Sequence, residues 1–204
     1  VPYPECLRNL DTSGLKALGE EYLQRARQHR TKSRPFFIDK MPDNFAHIGL
    51  IQLILPNARI IDARRHPMAC CFSSFAHYFP LGKDFSYSLN DLGRYYADYV
   101  ELMAHFDNVL PGRVHRVFYE KMVVSPETEI RRLFDYLELP FEEQTLRFYE
   151  TERPVRTPSS EQVRRPIFTD ALDHWRHYAQ WLGPIRDALG PALESYPGEL
   201  KTAI

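Results

Sequence analysis

Arg65, Pro67, Ser73 and Ser74 form the group of residues best suited to chemistry. The isoleucine-rich run Ile60-Ile61-Asp62-Ala63 leads into Arg64 and Arg65, and reads as a buried strand with two arginines at its end. Pro67 suits the first position of a helix, where its fixed φ is helical and its missing N–H is not needed. The pattern predicts a strand that delivers arginine to a helix start, with serine hydroxyls further along that helix. Backbone N–H groups, the positive end of the helix dipole and a guanidinium would then face one place. That is a site for an anion of the phosphate kind.

Three other stretches carry groups of the same sort. Asp39-Lys40-Met41-Pro42-Asp43-Asn44 follows Phe36-Phe37-Ile38, a short apolar run after Pro35 that predicts a buried strand. In an open parallel sheet, ligands bind beyond the carboxyl ends of strands, so Lys40 and Arg65 are expected to face one crevice. Tyr119 follows the expected strand Val114–Phe118 and offers a phenol or a flat ring to the same crevice. The stretch Ser159-Ser160-Glu161-Gln162-Val163-Arg164-Arg165-Pro166 brings hydroxyls, an amide and two arginines, a composition that suits closure over an anion. Taken singly, each has a plainer reading: a surface lysine, a core tyrosine, a solvated basic loop.

Positioning these groups requires strands that alternate with helices. Leu15, Leu18, Tyr22 and Ala26 recur at helical spacing and predict a helix over 13–31. Helices are also expected from Asn44 to Leu55, from Pro67 to Tyr78, and from Asn90, as cap, to about Phe106. Ser125-Pro126-Glu127 is a strong helix start with a capping hydroxyl, and Ile130, Leu133, Phe134 and Leu137 give that helix one apolar face. A shorter helix follows over 142–149. Residues 151–168 lose periodicity and gather arginine and proline, and helix resumes near Thr169 or Asp170 through Trp175 and Trp181, before two short final helices. Strands are expected over 59–63 and 114–118. The class is therefore α/β with a parallel central sheet flanked by helices, read as a single domain over 1–204.

Bulk properties limit the partners. Net charge is −1 and the chain is 44% hydrophobic and 26% charged, which gives no reason to expect nucleic acid. No run is long and apolar enough for a membrane span. Cys6, Cys70 and Cys71 have no metal-like spacing, no metal-ligand cluster stands out, and a reducing cytoplasm fits the thiols. Cys70 and Cys71 are expected as buried thiols pointing apart on a helix.

Together these motifs resemble one family. Arg65-x-Pro67 with Ser73 is similar to the 3′-phosphate-binding segment of sulfotransferases that use 3′-phosphoadenosine 5′-phosphosulfate. Tyr119-Glu120, then Ser125-Pro126-Glu127 and a helix ending in Leu-Glu-Leu-Pro, fits the same family. The Ser-Ser-Glu-Gln-Val-Arg-Arg-Pro loop, with Ala171-Leu172 and Trp175 after it, resembles the late cofactor loop of protein-tyrosine sulfotransferases. It resembles still more closely the sulfotransferase domains attached to bacterial tetratricopeptide repeats. The likeness runs over residues 30 to 190.

The resemblance implies a P-loop-NTPase-like fold and a set of roles. Arg65 and Ser73 would bind the 3′-phosphate, and Tyr119 the adenosine end. Lys40 would neutralise charge near the sulfuryl group. Ser159 would approach the bridging region, and Ser160, Gln162, Val163, Arg164 and Arg165 would wrap the nucleotide as residues 151–168 cover it. The acceptor would bring a hydroxyl from a sugar, a peptide tyrosine or a small molecule, and a tetratricopeptide-repeat region would precede the domain.

The chain also departs from the family. His77 and His174 stand where tyrosine sulfotransferases carry arginine and lysine, and the Gly-rich phosphate loop that opens the family is not found. The sequence begins at Val1, so the expectation is a carboxyl-terminal part of the domain, with phosphate loop and catalytic base in a preceding segment, inactive as a fragment. The alternative is a non-catalytic module serving protein contacts.

Overall fold

The computed structural model describes residues 2–30, 34–79, 82–151, 162–169 and 172–197. The chain forms two compact units, Val1–Ile60 and Ile61–Ile204.

The first unit is helical. After a 3-10 turn over Glu5–Asn9 comes α1, Thr12–Arg27, capped by Asp11, whose Oδ1 accepts the Gly14 N–H at 2.7 Å. The helix predicted over 44–55 starts as a 3-10 turn, Pro42–His47, and becomes α2 over Ile48–Ile54. α1 and α2 meet closely at Gly19, where an added Cβ would stand 2.1 Å from the Ile54 carbonyl oxygen. The strand predicted at Phe36-Phe37-Ile38 does not form, and the run is not buried. The segment has no regular structure, no strand pairs with it among the described residues, and Ile38 is 90% exposed. An apolar run becomes a strand only when a neighbour accepts its ladder hydrogen bonds.

The second unit carries the sheet. β1, Ile60–Arg64, and β2, Val114–Phe118, lie side by side as a parallel pair flanked by helices. The crossover between them holds α3, Pro67–Phe75, and α4, Leu89–Val109. β2 runs directly into a short helix that sequence reading did not anticipate, α5, Tyr119–Val124, and then α6, Pro126–Leu137. A 3-10 segment over Glu143–Glu150 ends the described run before 152, and further 3-10 turns cover Gln162–Arg164 and His174–Trp181. The chain closes with α7, Gly183–Leu189, and α8, Pro191–Glu194.

Two expected caps differ. Ser88, not Asn90, caps α4, its hydroxyl accepting the Asp91 N–H at 3.2 Å, while the Ser125 side chain makes no capping bond. The core joins Met68 and Cys71 of α3, Leu92 and Tyr96 of α4, and Leu182, Ile185 and Leu189 at α7. Gly93 lets α4 and α7 approach, for a Cβ there would lie 2.6 Å from that of Ala188. Among the described residues no helix is long and apolar enough to cross a membrane.

Candidate functional site

The two adjacent arginines at the end of β1 have different surroundings. Arg64 turns into a charge network. Its Nη2 donates to Asp62 Oδ2 at 3.0 Å and its Nε to the Tyr99 hydroxyl at 3.0 Å. Arg116 on β2 donates to the same Asp62 oxygen at 2.9 Å, and the Tyr99 hydroxyl donates to the other one. Asp62 is buried, so its charge needs these partners. Asp62 thereby ties β1 to β2 through Arg116, and with Arg64 it ties β1 to α4 through Tyr99.

Arg65 sits one residue later, half-buried, with its guanidinium 5.2 Å from the centre of the Tyr119 ring. Arg65 and Tyr119 thus each follow the carboxyl end of a strand, as the sequence predicts, and they meet. His66 then caps α3 and Pro67 occupies its first turn. At such a start the first backbone donors lack partners within the helix.

Ser73 is exposed on α3, and Cys70 lies one turn nearer the helix start on the same face. Burial pushes the Cys70 thiol up, and the Arg65 charge pulls it the other way. Cys71 points into the core, and burial holds its thiol well above the ordinary range. All three cysteines are free.

The junction is roofed by residues from the end of the chain. The Trp175 ring stacks on His66 at 5.3 Å, and the Tyr196 ring meets His66 edge-on at 5.2 Å. Glu120, 1% exposed, accepts the His66 N–H at 2.9 Å, and the Tyr196 hydroxyl donates to its second oxygen. From the sequence, Tyr96 belongs to the apolar stripe of its helix, and none of Glu120, Tyr96 and Tyr196 has a role at the site. The signals for Glu120 were its place just past a strand and its pairing with Tyr119 in the family resemblance. His174 is exposed and packs edge-on against Phe72 of α3 at 5.7 Å, while His77 is half-buried against Phe79 at 4.6 Å.

Lys40 belongs to the first unit, where it is exposed. Its neighbour Asp39 is anchored on both sides. Tyr22 on α1 donates its hydroxyl at 2.5 Å, and the Asn44 amide donates at 3.4 Å. Burial, reinforced by Asp39, pushes the Tyr22 phenol up to about 12.

The basic stretch is described in part. Ser159 and Ser160 lie outside the described residues. Gln162, Val163 and Arg164 form the 3-10 turn, which Arg164 fastens by donating to the Thr151 carbonyl oxygen. Val163 is half-buried, and Arg165 is exposed with its guanidinium 5.1 Å from the Phe168 ring. No group of three or more metal-ligating side chains gathers among the described residues.

Comparison with known proteins gives a consistent picture. A model described as "Sulfotransferase family" matches residues 5–143. An uncharacterized protein of Aquifex aeolicus (strain VF5) is 32% identical over 205 residues, covering 95% of this chain and 27% of its own length. A putative protein-tyrosine sulfotransferase of Caenorhabditis elegans is 28% identical over 149 residues, covering 69% of this chain and 56% of its own length. The Caenorhabditis briggsae counterpart is 26% identical over 149 residues and covered over 52% of its length. The chain thus spans between about a quarter and about half of these relatives. Among solved structures, the sulfotransferase domain from the curacin biosynthetic pathway has a TM-score of 0.52, with 20% identity, 96% of this chain covered and 73% of that one. At that identity the likeness is one of fold.

Proposed function

This chain belongs to the sulfotransferase family, and we propose that the whole protein moves a sulfuryl group from 3′-phosphoadenosine 5′-phosphosulfate to an acceptor hydroxyl. One observation carries the reading. A guanidinium at the end of β1, beside an aromatic ring at the end of β2, stands at the start of α3. This donor set fits the nucleotide: a cation for a phosphate, a flat ring for the adenosine end, and hydroxyls on the following helix.

In this reading Arg65 and Ser73 hold the 3′-phosphate, and Tyr119 borders the adenosine. Lys40 supplies a point charge near the transferring group, where negative charge develops on the equatorial and leaving oxygens. Ser159 approaches the bridging region. Ser160, Gln162, Val163, Arg164 and Arg165 close over the nucleotide and exclude water. The acceptor oxygen forms the new S–O bond as the bond to the 5′-phosphate breaks, and a base takes the hydroxyl proton. Positioning and charge stabilisation do most of the work, as in phosphoryl transfer.

The printed names of the two nematode relatives make a peptide tyrosine the acceptor class to try first. An attached tetratricopeptide-repeat region and a reducing compartment complete the proposal.

The test is calorimetry on the full-length protein carrying Arg65→Ala. Affinity for 3′-phosphoadenosine 5′-phosphate should fall by about 1.5–3 kcal/mol, the worth of a charge-assisted hydrogen bond. Affinity for adenosine 5′-phosphate should fall much less. Equal losses for the two ligands reject the assignment.

A further inference from the structure

The peptide unit that joins Arg65 to His66 is anchored at both polar ends. Its carbonyl oxygen, on Arg65, accepts the Tyr96 hydroxyl at 2.7 Å. Its N–H, on His66, donates to Glu120 Oε1 at 2.9 Å. In a trans peptide these two groups point in opposite directions, so one rigid plane is gripped from two sides. Tyr96 comes from α4 and Glu120 from α5, and both are buried. The second oxygen of Glu120 accepts the hydroxyl of Tyr196, also buried, from beyond α8.

We infer that Tyr96, Glu120 and Tyr196 are positioning residues for Arg65, locking the Arg65–His66 peptide plane so that the guanidinium is aimed before an anion arrives. None of the three is assigned contact with the nucleotide. Rotating the plane would break both anchoring bonds at once and leave buried polar groups unpaired. Burial raises the phenols of Tyr96 and Tyr196 far above neutral pH, so both stay protonated as donors. The His66 ring, packed between Trp175 and Tyr196, resists the same rotation. The chain end is thereby coupled to the anion site through Glu120, about seventy-six positions earlier in sequence. Preorganisation of this kind acts by removing the ordering cost of binding.

This inference rests on Arg65 binding the 3′-phosphate, so its test separates the two claims. In the full-length protein, affinities for 3′-phosphoadenosine 5′-phosphate and adenosine 5′-phosphate are measured for the wild type, Tyr96→Phe, Glu120→Gln and Glu120→Leu. Tyr96→Phe should cut the preference for the 3′-phosphorylated ligand by about threefold to tenfold. Glu120→Gln, whose amide oxygen still accepts from His66, should keep most of it, and Glu120→Leu should lose it. Hydrogen exchange over residues 65–70 provides a ligand-free readout. The His66 amide should exchange faster in Glu120→Leu and near the wild-type rate in Glu120→Gln. Should Glu120→Leu not fold, Tyr96→Phe decides. A wild type with no preference for the 3′-phosphate defeats the binding assignment itself. A wild-type preference that survives unchanged in a folded Tyr96→Phe protein defeats the positioning role alone.

Discussion

Residues 60–67 and residues 36–41 read alike in the sequence, since each opens on an apolar run and then carries a cation. They fold differently. Around Arg65 the preceding run is a strand, the next peptide is anchored at both polar ends, and an aromatic ring faces the guanidinium. Around Lys40 the preceding run lies exposed, and the anchoring hydrogen bonds go to its neighbour Asp39. The contrast shows that a residue's type says which charge is available, while buried polar partners decide how sharply that charge is aimed.

The largest expected effect would break the first region. Glu120→Ala leaves the His66 N–H and the Tyr196 hydroxyl without their acceptor, and should cost about 2–5 kcal/mol of stability. Urea unfolding measures it, and a loss under about 0.5 kcal/mol would mean the junction is not built as described. Lys40→Ala, by contrast, should leave stability unchanged within about 0.5 kcal/mol, as expected for an exposed side chain. A matching loss at the two positions would erase the difference between the regions.

A smaller change sharpens the boundary of order within the first unit. Gly19→Ala drives a Cβ into the Ile54 carbonyl, and should cost about 1–3 kcal/mol through overpacking. Ile38→Ala, at a site 90% exposed, should cost almost nothing by the same measurement. If Ile38→Ala proved the more damaging, the run would be covered rather than exposed.

The smallest effect is a dependence on pH. The Tyr22 phenol titrates at about 12 in the fold, against an ordinary 10.0. The folded state therefore holds that proton more tightly. Its contribution is complete below pH 10 and is lost as pH rises through about 12. Tyr22→Phe should flatten that part of the stability profile, and an unchanged slope would show that the fold does not hold the Tyr22 proton more tightly.

Most of the helices were legible because their apolar spacing is periodic, as in α1, α4 and α6. β2 was legible because Val114, Val117 and Phe118, β-branched and aromatic residues, follow the turn residues Pro111-Gly112. The helix over Tyr119–Val124 was not, since six residues carry too little periodicity to separate a helix from a loop. Phe36–Ile38 misled for a related reason: composition reports a preference for burial and says nothing about whether a partner strand is present.

At the site, the sequence by itself determined the chemical inventory. Arginine, proline, serine and tyrosine at those spacings offered a cation, a helix start with hydroxyls beyond it and a ring where two strands end. The family resemblance had singled out Arg65, but only the tertiary structure showed what each arginine meets, pairing Arg64 with Asp62 and setting Arg65 beside Tyr119. It also recruited Tyr96, Glu120 and Tyr196, which lie far from Arg65 along the chain. The physical reason is that aiming a charge depends on long-range hydrogen bonds made in a buried setting. Local sequence patterns encode which groups are offered, but not which distant groups will meet them.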